Sequence, residues 1–468
     1  MMTQNALKTA VDQALVQQAH ALFHARKYAE AAPLYRQLLQ QERGDFLMWG
    51  YLGISLRHLG QYESAFACLM RADALSPHSP SILMHLAVCL QLLERKADAL
   101  NMFAEALRLS PGDFNIHAFF AYALREFDMN AEALPHYNAV LAQDPAHVET
   151  RWQRAQTLLA IGNYAEGWKE FEIRWQLDHT SPFWRQAALE KSYTSKRWQG
   201  EDLRGKKILL YPEQGFGDTI LASRYIPLVK AHGARVIFNC QPHLRRLLQH
   251  IPGIDQLVEG EVLGGAVDYH APLMSLPGIF GTEVHSIPPA VPLHVPTEIP
   301  AEAARLLVLA KNRLKVGIVW TGNPLFTGNA RRAVPLARFL PLADIPGVQL
   351  FSLQKGPNEQ DLVDYCAQPL IPALGLYLND FADTAAVLKQ LDLVIMTDSA
   401  VAHLAGALNV PVWNLISTGA YWLYMTGRDD SPWYPSMRLF RQTEPGEWDG
   451  VFERVAAELK KIAASRKP

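Results

Sequence analysis

The chain is poor in cysteine: Cys68, Cys89, Cys240 and Cys366 are its four, with no CxxC pair and no cluster. That scarcity excludes a disulfide-stapled module and a cysteine-built zinc site, and it fits a reducing compartment. Excess charge is lacking too: 44 basic against 46 acidic residues leave a net −2. With no basic footprint, nucleic acid is not an expected partner. Long apolar runs are missing as well. No stretch approaches the ~18–20 apolar residues of a membrane span. The opening MMTQNALKTAVDQALVQQAH lacks the sustained apolar core of a signal peptide. The expectation is a cytoplasmic protein of roughly three folding units.

What is there begins with a period. Pro77, Pro111 and Pro145 are 34 residues apart. At the same step run two small-residue columns, Ala19/Gly53/Ala87/Ala121/Ala155 and Ala31/Ala65/Ala99/Ala133/Gly167. The large residues Leu22/Leu56/Leu90/Leu124/Leu158 and Tyr35/Leu69/Phe103/Tyr137/Phe171 follow them. Small residues let paired helices approach, and large ones fill the space between successive hairpins. With Trp49-x-x-Leu52-Gly53, this pattern resembles the tetratricopeptide repeat, about five copies within residues 1–180. The resemblance implies a groove that holds a protein or peptide. The column before the Leu-Gly pair reads Gln17, Tyr51, His85, Phe119 and Gln153. It lacks the asparagine ladder with which repeat-bearing O-GlcNAc transferases grip a peptide backbone.

Residues 181–204 break the step and read as a junction. From Lys206 the pattern changes to short apolar runs alternating with helix-like segments: 207–211, 235–239, 267–271, 315–320, 348–353, 391–396 and 411–416. Such alternation predicts parallel sheets. The proline-rich stretch 284–300 divides them into lobes at 205–300 and 301–468. Open parallel sheets bind ligands at the C-terminal ends of their strands, so the loops there carry the argument.

The loop Glu213-Gln-Gly215-Phe-Gly217-Asp218 looks like a phosphate cradle but fails the G-x-G-x-x-G test at Ile220, and it has no P-loop lysine. Asp218 reads either as an N-cap for the helix that follows or as a general base facing an acceptor hydroxyl. The loop Thr397-Asp398-Ser399-Ala400-Val401-Ala402-His403 is the better cradle. Its helix start would offer free N–H groups to a diphosphate. His403 would reach a phosphate or sugar hydroxyl, or bond within the core. Asp398 would cap the helix or bond a sugar hydroxyl. Arg331, Arg332 and Lys355 follow neighbouring strands. Singly they read as surface charge. Together they would neutralise a departing diphosphate without a metal.

GDTILASRYIPLVKAHGARVIF with TDSAVAHLAGALNVPVW resembles the ADP-heptose:lipopolysaccharide heptosyltransferases of glycosyltransferase family 9. EQGFGDTI, APLMSLPG, FSLQKG and DDSPWYPSMRLFRQ extend the likeness to bacterial proteins that join tetratricopeptide repeats to such a domain. The fold implied is α + α/β: an N-terminal repeat solenoid, then a two-lobed GT-B domain. By this resemblance Asp218 falls on the catalytic aspartate. Asp398, Ser399, Ala400, Val401 and His403 fall on the donor-binding segment, and Arg332 near the donor-phosphate lysine. The expected activity is inverting, metal-independent transfer from a nucleotide-diphosphate-sugar, with no cofactor. Glu213 is a reserve base or a support for its loop. Gln214, Gly215 and Gly217 lie on the acceptor side, and Thr321, Gly322 and Asn323 on the donor side. The alternative is an idle domain on a protein-binding scaffold.

Overall fold

The structure, a computed structural model, describes residues 4–177, 193–213, 215–260, 267–324 and 328–465, with side chains from residue 13 onward. Gln214, in the loop after the first lobe's lead strand, and the first half of the junction, 181–192, fall outside the described residues. The chain forms two compact units, residues 1–150 and 151–468.

The first unit is a run of helical hairpins: α1 (Gln4–His24) with α2 (Tyr28–Gln41), α3 (Phe46–His58) with α4 (Tyr62–Leu75), α5 (Pro80–Leu92) with α6 (Lys96–Leu109), and α7 (Phe114–Glu126) with α8 (Asn130–Gln143). A fifth pair, α9 (Val148–Ala160) and α10 (Tyr164–Phe171), continues the repeat pattern across the unit boundary. The chain therefore carries a tetratricopeptide-type solenoid. The periodic columns are its core. Ala19, Ala87, Ala121 and Ala155 are fully buried, as are Ala31, Ala65, Ala99 and Ala133. Tyr35, Leu69 and Phe103 fill the spaces behind them, each contributing about 1.5–3 kcal/mol by leaving water. At Gly53 an added Cβ would lie 2.7 Å from Leu69 Cγ, so only glycine permits that approach. Asp45 and Asp113 cap α3 and α7 through backbone N–H groups. Each hairpin turns on a residue with φ near +60 to +86°: Arg26, Gly60, Glu94, Asp128 and Gly162, again 34 apart. That column is left-handed whether or not it holds glycine, so composition does not reveal it.

The second unit holds two five-stranded, wholly parallel sheets. The first has the order β1-β5-β2-β3-β4, from β1 (Lys196–Arg197), β2 (Lys207–Tyr211), β3 (Arg235–Asn239), β4 (Gln256–Val258) and β5 (Tyr269–Pro272). The second has the order β10-β9-β8-β6-β7, from β6 (Leu314–Val319), β7 (Val348–Ser352), β8 (Leu393–Thr397), β9 (Val412–Ile416) and β10 (Met437–Arg441). These are the two Rossmann-like lobes of a GT-B architecture. All seven expected strands form, some shifted by one or two residues. The short β1 and β4 and the edge strand β10 are additions. β1 comes from the junction and pairs Lys196 with Tyr269.

In each sheet the chain leaves the lead strand to one side and returns on the other. The reversal falls between β2 and β5 in the first lobe and between β6 and β8 in the second. Ligand crevices of open parallel sheets lie at such switch points. The described loop residues that line them are 212–213, 215 and 273–275 in one lobe, and 320–323 and 398–399 in the other. Among the described residues no helix is long and apolar enough to cross a membrane.

Candidate active site

In the first lobe, β2 runs through Pro212 and Glu213 into the helix Phe216–Ala222. Asp218 is not the N-cap that its place before Thr219 suggests. The helix begins earlier, and Asp218 is its third residue, reaching back so that Oδ2 accepts the Gly215 N–H at 3.1 Å. Its other oxygen, Oδ1, accepts the Tyr421 hydroxyl at 3.2 Å. The side chain is half-buried. Burial raises its pKa to about 7; the Tyr421 and Gly215 hydrogen bonds oppose the rise, and the Asp398 and Glu213 charges add to it. The carboxyl therefore changes charge near neutrality, which suits a general base.

Glu213, five residues earlier, is fully buried and fully engaged. Arg174 holds it bidentately, Nε to Oε2 at 2.6 Å and Nη2 to Oε1 at 2.9 Å, and the Met274 N–H donates to Oε1 at 3.1 Å. Burial raises its pKa while Arg174 pulls the other way, and the forked geometry is that of an ionised pair. Arg174 also donates to Glu172 and to the Ser275 hydroxyl, and lies 4.6 Å from the centre of the Phe171 ring. Of the two expectations for Glu213, this geometry matches the loop support.

In the second lobe, β8 leads into the helix Ala400–Ala407. Ser399 is its N-cap, but its hydroxyl makes no capping bond, and its buried Oγ has no partner among the described residues. Helix starts carry unsatisfied N–H groups, so the Ser399–Val401 turn is open to an anion. Asp398 accepts the Tyr424 hydroxyl at 2.5 Å on Oδ1 and faces Arg332 Nη1 at 3.5 Å with Oδ2. The Thr397 hydroxyl donates to the Arg332 carbonyl, fastening that segment across the β6–β8 crevice. Asn329 ties the other wall. It donates to Thr321 Oγ1 at 2.8 Å and accepts from Gly322 N–H at 3.0 Å. Gln354 accepts the N–H groups of Trp320 and Thr321, each at 3.2 Å. Gly322 lies so near Arg332 that an added Cβ would stand 2.6 Å from Nη2.

The helices Phe216–Ala222 and Ala400–Ala407 pack directly against each other. A Cβ at Gly217 would fall 2.6 Å from His403 Cδ2. His403 is buried, its Nδ1 3.1 Å from the Tyr434 hydroxyl. Burial lowers its pKa to about 4, with Asp398 opposing and Arg224 and Arg332 adding to the fall. It is a neutral core histidine that seats one helix on the other. Behind it, buried Arg224 donates to the carbonyls of Trp433 and Pro288.

Asp218, Gly215, Gly217, Asp398, Ser399, Ala400, Val401, His403, Thr321, Gly322 and Arg332 thus belong to one region. Lys355 does not join it: its ammonium donates to the Gly375 and Leu378 carbonyls at 2.9 and 2.8 Å, bracing that turn. Arg331 and Asn323 are exposed at its margin. The sequence left Tyr421, Tyr424, Asn329 and Arg174 unassigned. The two tyrosines sit three apart around the short helical turn Trp422–Tyr424. That spacing was readable, whereas their partners, 203 and 26 residues away, were not.

Comparison with known proteins gives a tetratricopeptide-repeat family model matching residues 16–80. Protein FlbA of Caulobacter vibrioides is 29% identical over 446 residues, covering 88% of this chain and 72% of FlbA. Among solved structures, a glycosyl transferase family 9 protein of Veillonella parvula aligns over 57% of this chain and all of its own. Its TM-score is 0.43, at 12% identity. A tetratricopeptide protein of Thermus thermophilus aligns over 38% of this chain and 96% of its own, with TM-score 0.33 at 17% identity.

Proposed function

We propose that this chain is an inverting glycosyltransferase that moves a sugar from a nucleotide-diphosphate-sugar to a hydroxyl on a protein acceptor, without a metal. The observation that carries the reading is a pairing across packed helices. Asp218, a carboxyl with a pKa of about 7, lies on one helix, and the uncapped Ser399 turn begins the other.

In this mechanism the diphosphate rests on the Ser399 hydroxyl and the N–H groups of the Ala400–Ala407 helix start, with Arg332 beside it. The acceptor hydroxyl approaches from the first lobe, and Asp218 takes its proton. As the acceptor oxygen bonds to the anomeric carbon, the bond from that carbon to the diphosphate oxygen breaks. The nucleoside diphosphate leaves with the electron pair, its charge met by the helix start and Arg332. Attack opposite the leaving group inverts the anomeric centre. Glu213 and Arg174 hold the Asp218 loop, and the repeats recruit the acceptor.

The second reading, an idle domain on a binding scaffold, draws on the engagement of both Asp218 oxygens, one by Gly215 and one by Tyr421. A panel of nucleotide-sugars separates the two readings. The enzyme reading expects at least one donor to raise the melting temperature and to release nucleoside diphosphate. No binding and no release across the panel would defeat it.

A further inference from the structure

The repeat unit contains a polar layer that its own packing leaves incomplete. Arg57, near the end of α3, is half-buried and has no carboxylate partner among the described residues. Its Nη2 meets His58 Nε2 at 3.1 Å, and its guanidinium carbon lies 5.9 Å from the centre of the Phe119 ring on α7. Its buried Nε has no partner among the described residues. His85 on α5 feels the Arg57 charge and lies 6.4 Å from Phe119 ring to ring, and its buried Nδ1 is also without a partner among the described residues. The other groups near Arg57 are Cys89, Tyr28 and Tyr62, none of them an acid, and Tyr28 stacks on His58 at 4.2 Å. Burial works against the Arg57 charge.

The array supplies its own control. Arg125 occupies the same repeat position two steps on (57 + 34 + 34), and it is paired with Glu126 at 2.8 Å. Among the described residues, one arginine of the column has its anion and the other lacks one. A buried cation without a counter-charge is destabilising, and replacing it by an apolar residue of similar volume commonly stabilises. Successive first helices α3, α5 and α7 pack in sequence, so the layer lies on the face that repeat arrays use for extended ligands.

We propose that the Arg57, His58, His85 and Phe119 layer is a carboxylate site, filled by an aspartate or glutamate side chain of a protein segment lying along the array. The layer itself spans three successive first helices, with Arg57 and His58 on α3, His85 on α5 and Phe119 on α7. A passing segment fits better than a chain end. The site takes its anion on the guanidinium edge that the chain leaves unpaired, with the Phe119 face excluding water. This rests on the array as a protein-binding surface and not on sugar transfer, so donor turnover and peptide retention can fail independently.

The test uses the immobilised full chain and two equimolar pools of randomised ten-residue peptides, blocked at both ends, with Glu or Gln fixed at the centre. The Glu pool should be retained at least tenfold over the Gln pool. Arg57→Met should bring the ratio near one while raising Tm by about 2–4 °C, because it removes an uncompensated buried charge. Arg57→Lys, which keeps the charge but not the fork, should leave an intermediate ratio and guards against a folding artefact. Equal retention of the two pools by the unaltered chain overturns the proposal. So does an unchanged ratio in Arg57→Met or a fall in its Tm.

Discussion

The two lobes present the same element twice, a strand running through a short loop into a helix at the switch point, and finish it in opposite ways. In the first, Asp218 turns back onto the Gly215 N–H, so the helix start is filled by its own carboxylate. In the second, Ser399 makes no capping bond and the start stays open. A filled start cannot serve an external anion, and an open one invites it. In the proposed mechanism this difference divides the chemistry, with a base on one side and a phosphate cradle on the other. Within the first loop a second contrast holds. Glu213 is locked by a forked arginine, whereas Asp218 is held only by a hydroxyl and one N–H. One carboxylate supports and the other titrates.

The largest expected effect comes from breaking the support. Arg174→Ala leaves Glu213 buried without its partner and should cost about 3–5 kcal/mol in denaturant unfolding. An unchanged midpoint would mean that the pair does not brace the loop. Asp218→Asn should cut transfer by ~10²-fold or more, about 2.7 kcal/mol in barrier, without lowering Tm. The sign follows from linkage. The folded carboxyl, at about 7 against 3.8 unfolded, holds its proton more tightly when folded. The stability it lends is present at low pH and lost as pH climbs from 3.8 through 7. The asparagine variant should lack that loss, and melting curves at pH 5 and 8 would reveal whether it does. Gly217→Ala pushes a methyl into His403 and should cost about 1–3 kcal/mol by overpacking. If it costs nothing, the two helices do not meet as described. Tyr421→Phe is the mildest. It removes a bond that favours ionised Asp218, so the acidic limb of the pH–rate profile should move upward. Turnover at pH 7 should then fall by roughly tenfold or less. A limb that stays put would detach Tyr421 from the base.

Much of this was legible in the sequence because it rests on local period. The alanine and glycine columns gave the solenoid, since each repeat meets its neighbour at a fixed offset. The strands at 207–211 and 235–239 appear with the expected bounds because both are apolar runs paired side by side in one sheet. β1 and β4 were not legible: two or three residues of QLV or KR carry no periodic signal. Within the site, the Ser399 helix start could be read from a strand followed by small residues. The true frame of the first helix could not, since a glycine N-cap leaves no side-chain signature and Asp218 imitates one. Lys355 looked like a phosphate ligand because its loop follows a strand, yet its amine satisfies two carbonyls from a turn twenty residues on. Long-range pairs such as Tyr421 with Asp218 depend on how the lobes pack, and one sequence does not encode that visibly.

The division between the two helix starts is tested most directly by binding nucleoside diphosphates to two variants side by side in calorimetry. Ser399→Asp gives the second start the carboxylate that the first already has, and should weaken nucleoside diphosphate binding by about tenfold or more. Asp218→Asn should leave that binding unchanged or slightly tighter. If Asp218→Asn weakens binding while Ser399→Asp leaves it intact, the diphosphate belongs to the first loop and the assignment of base and cradle is contradicted.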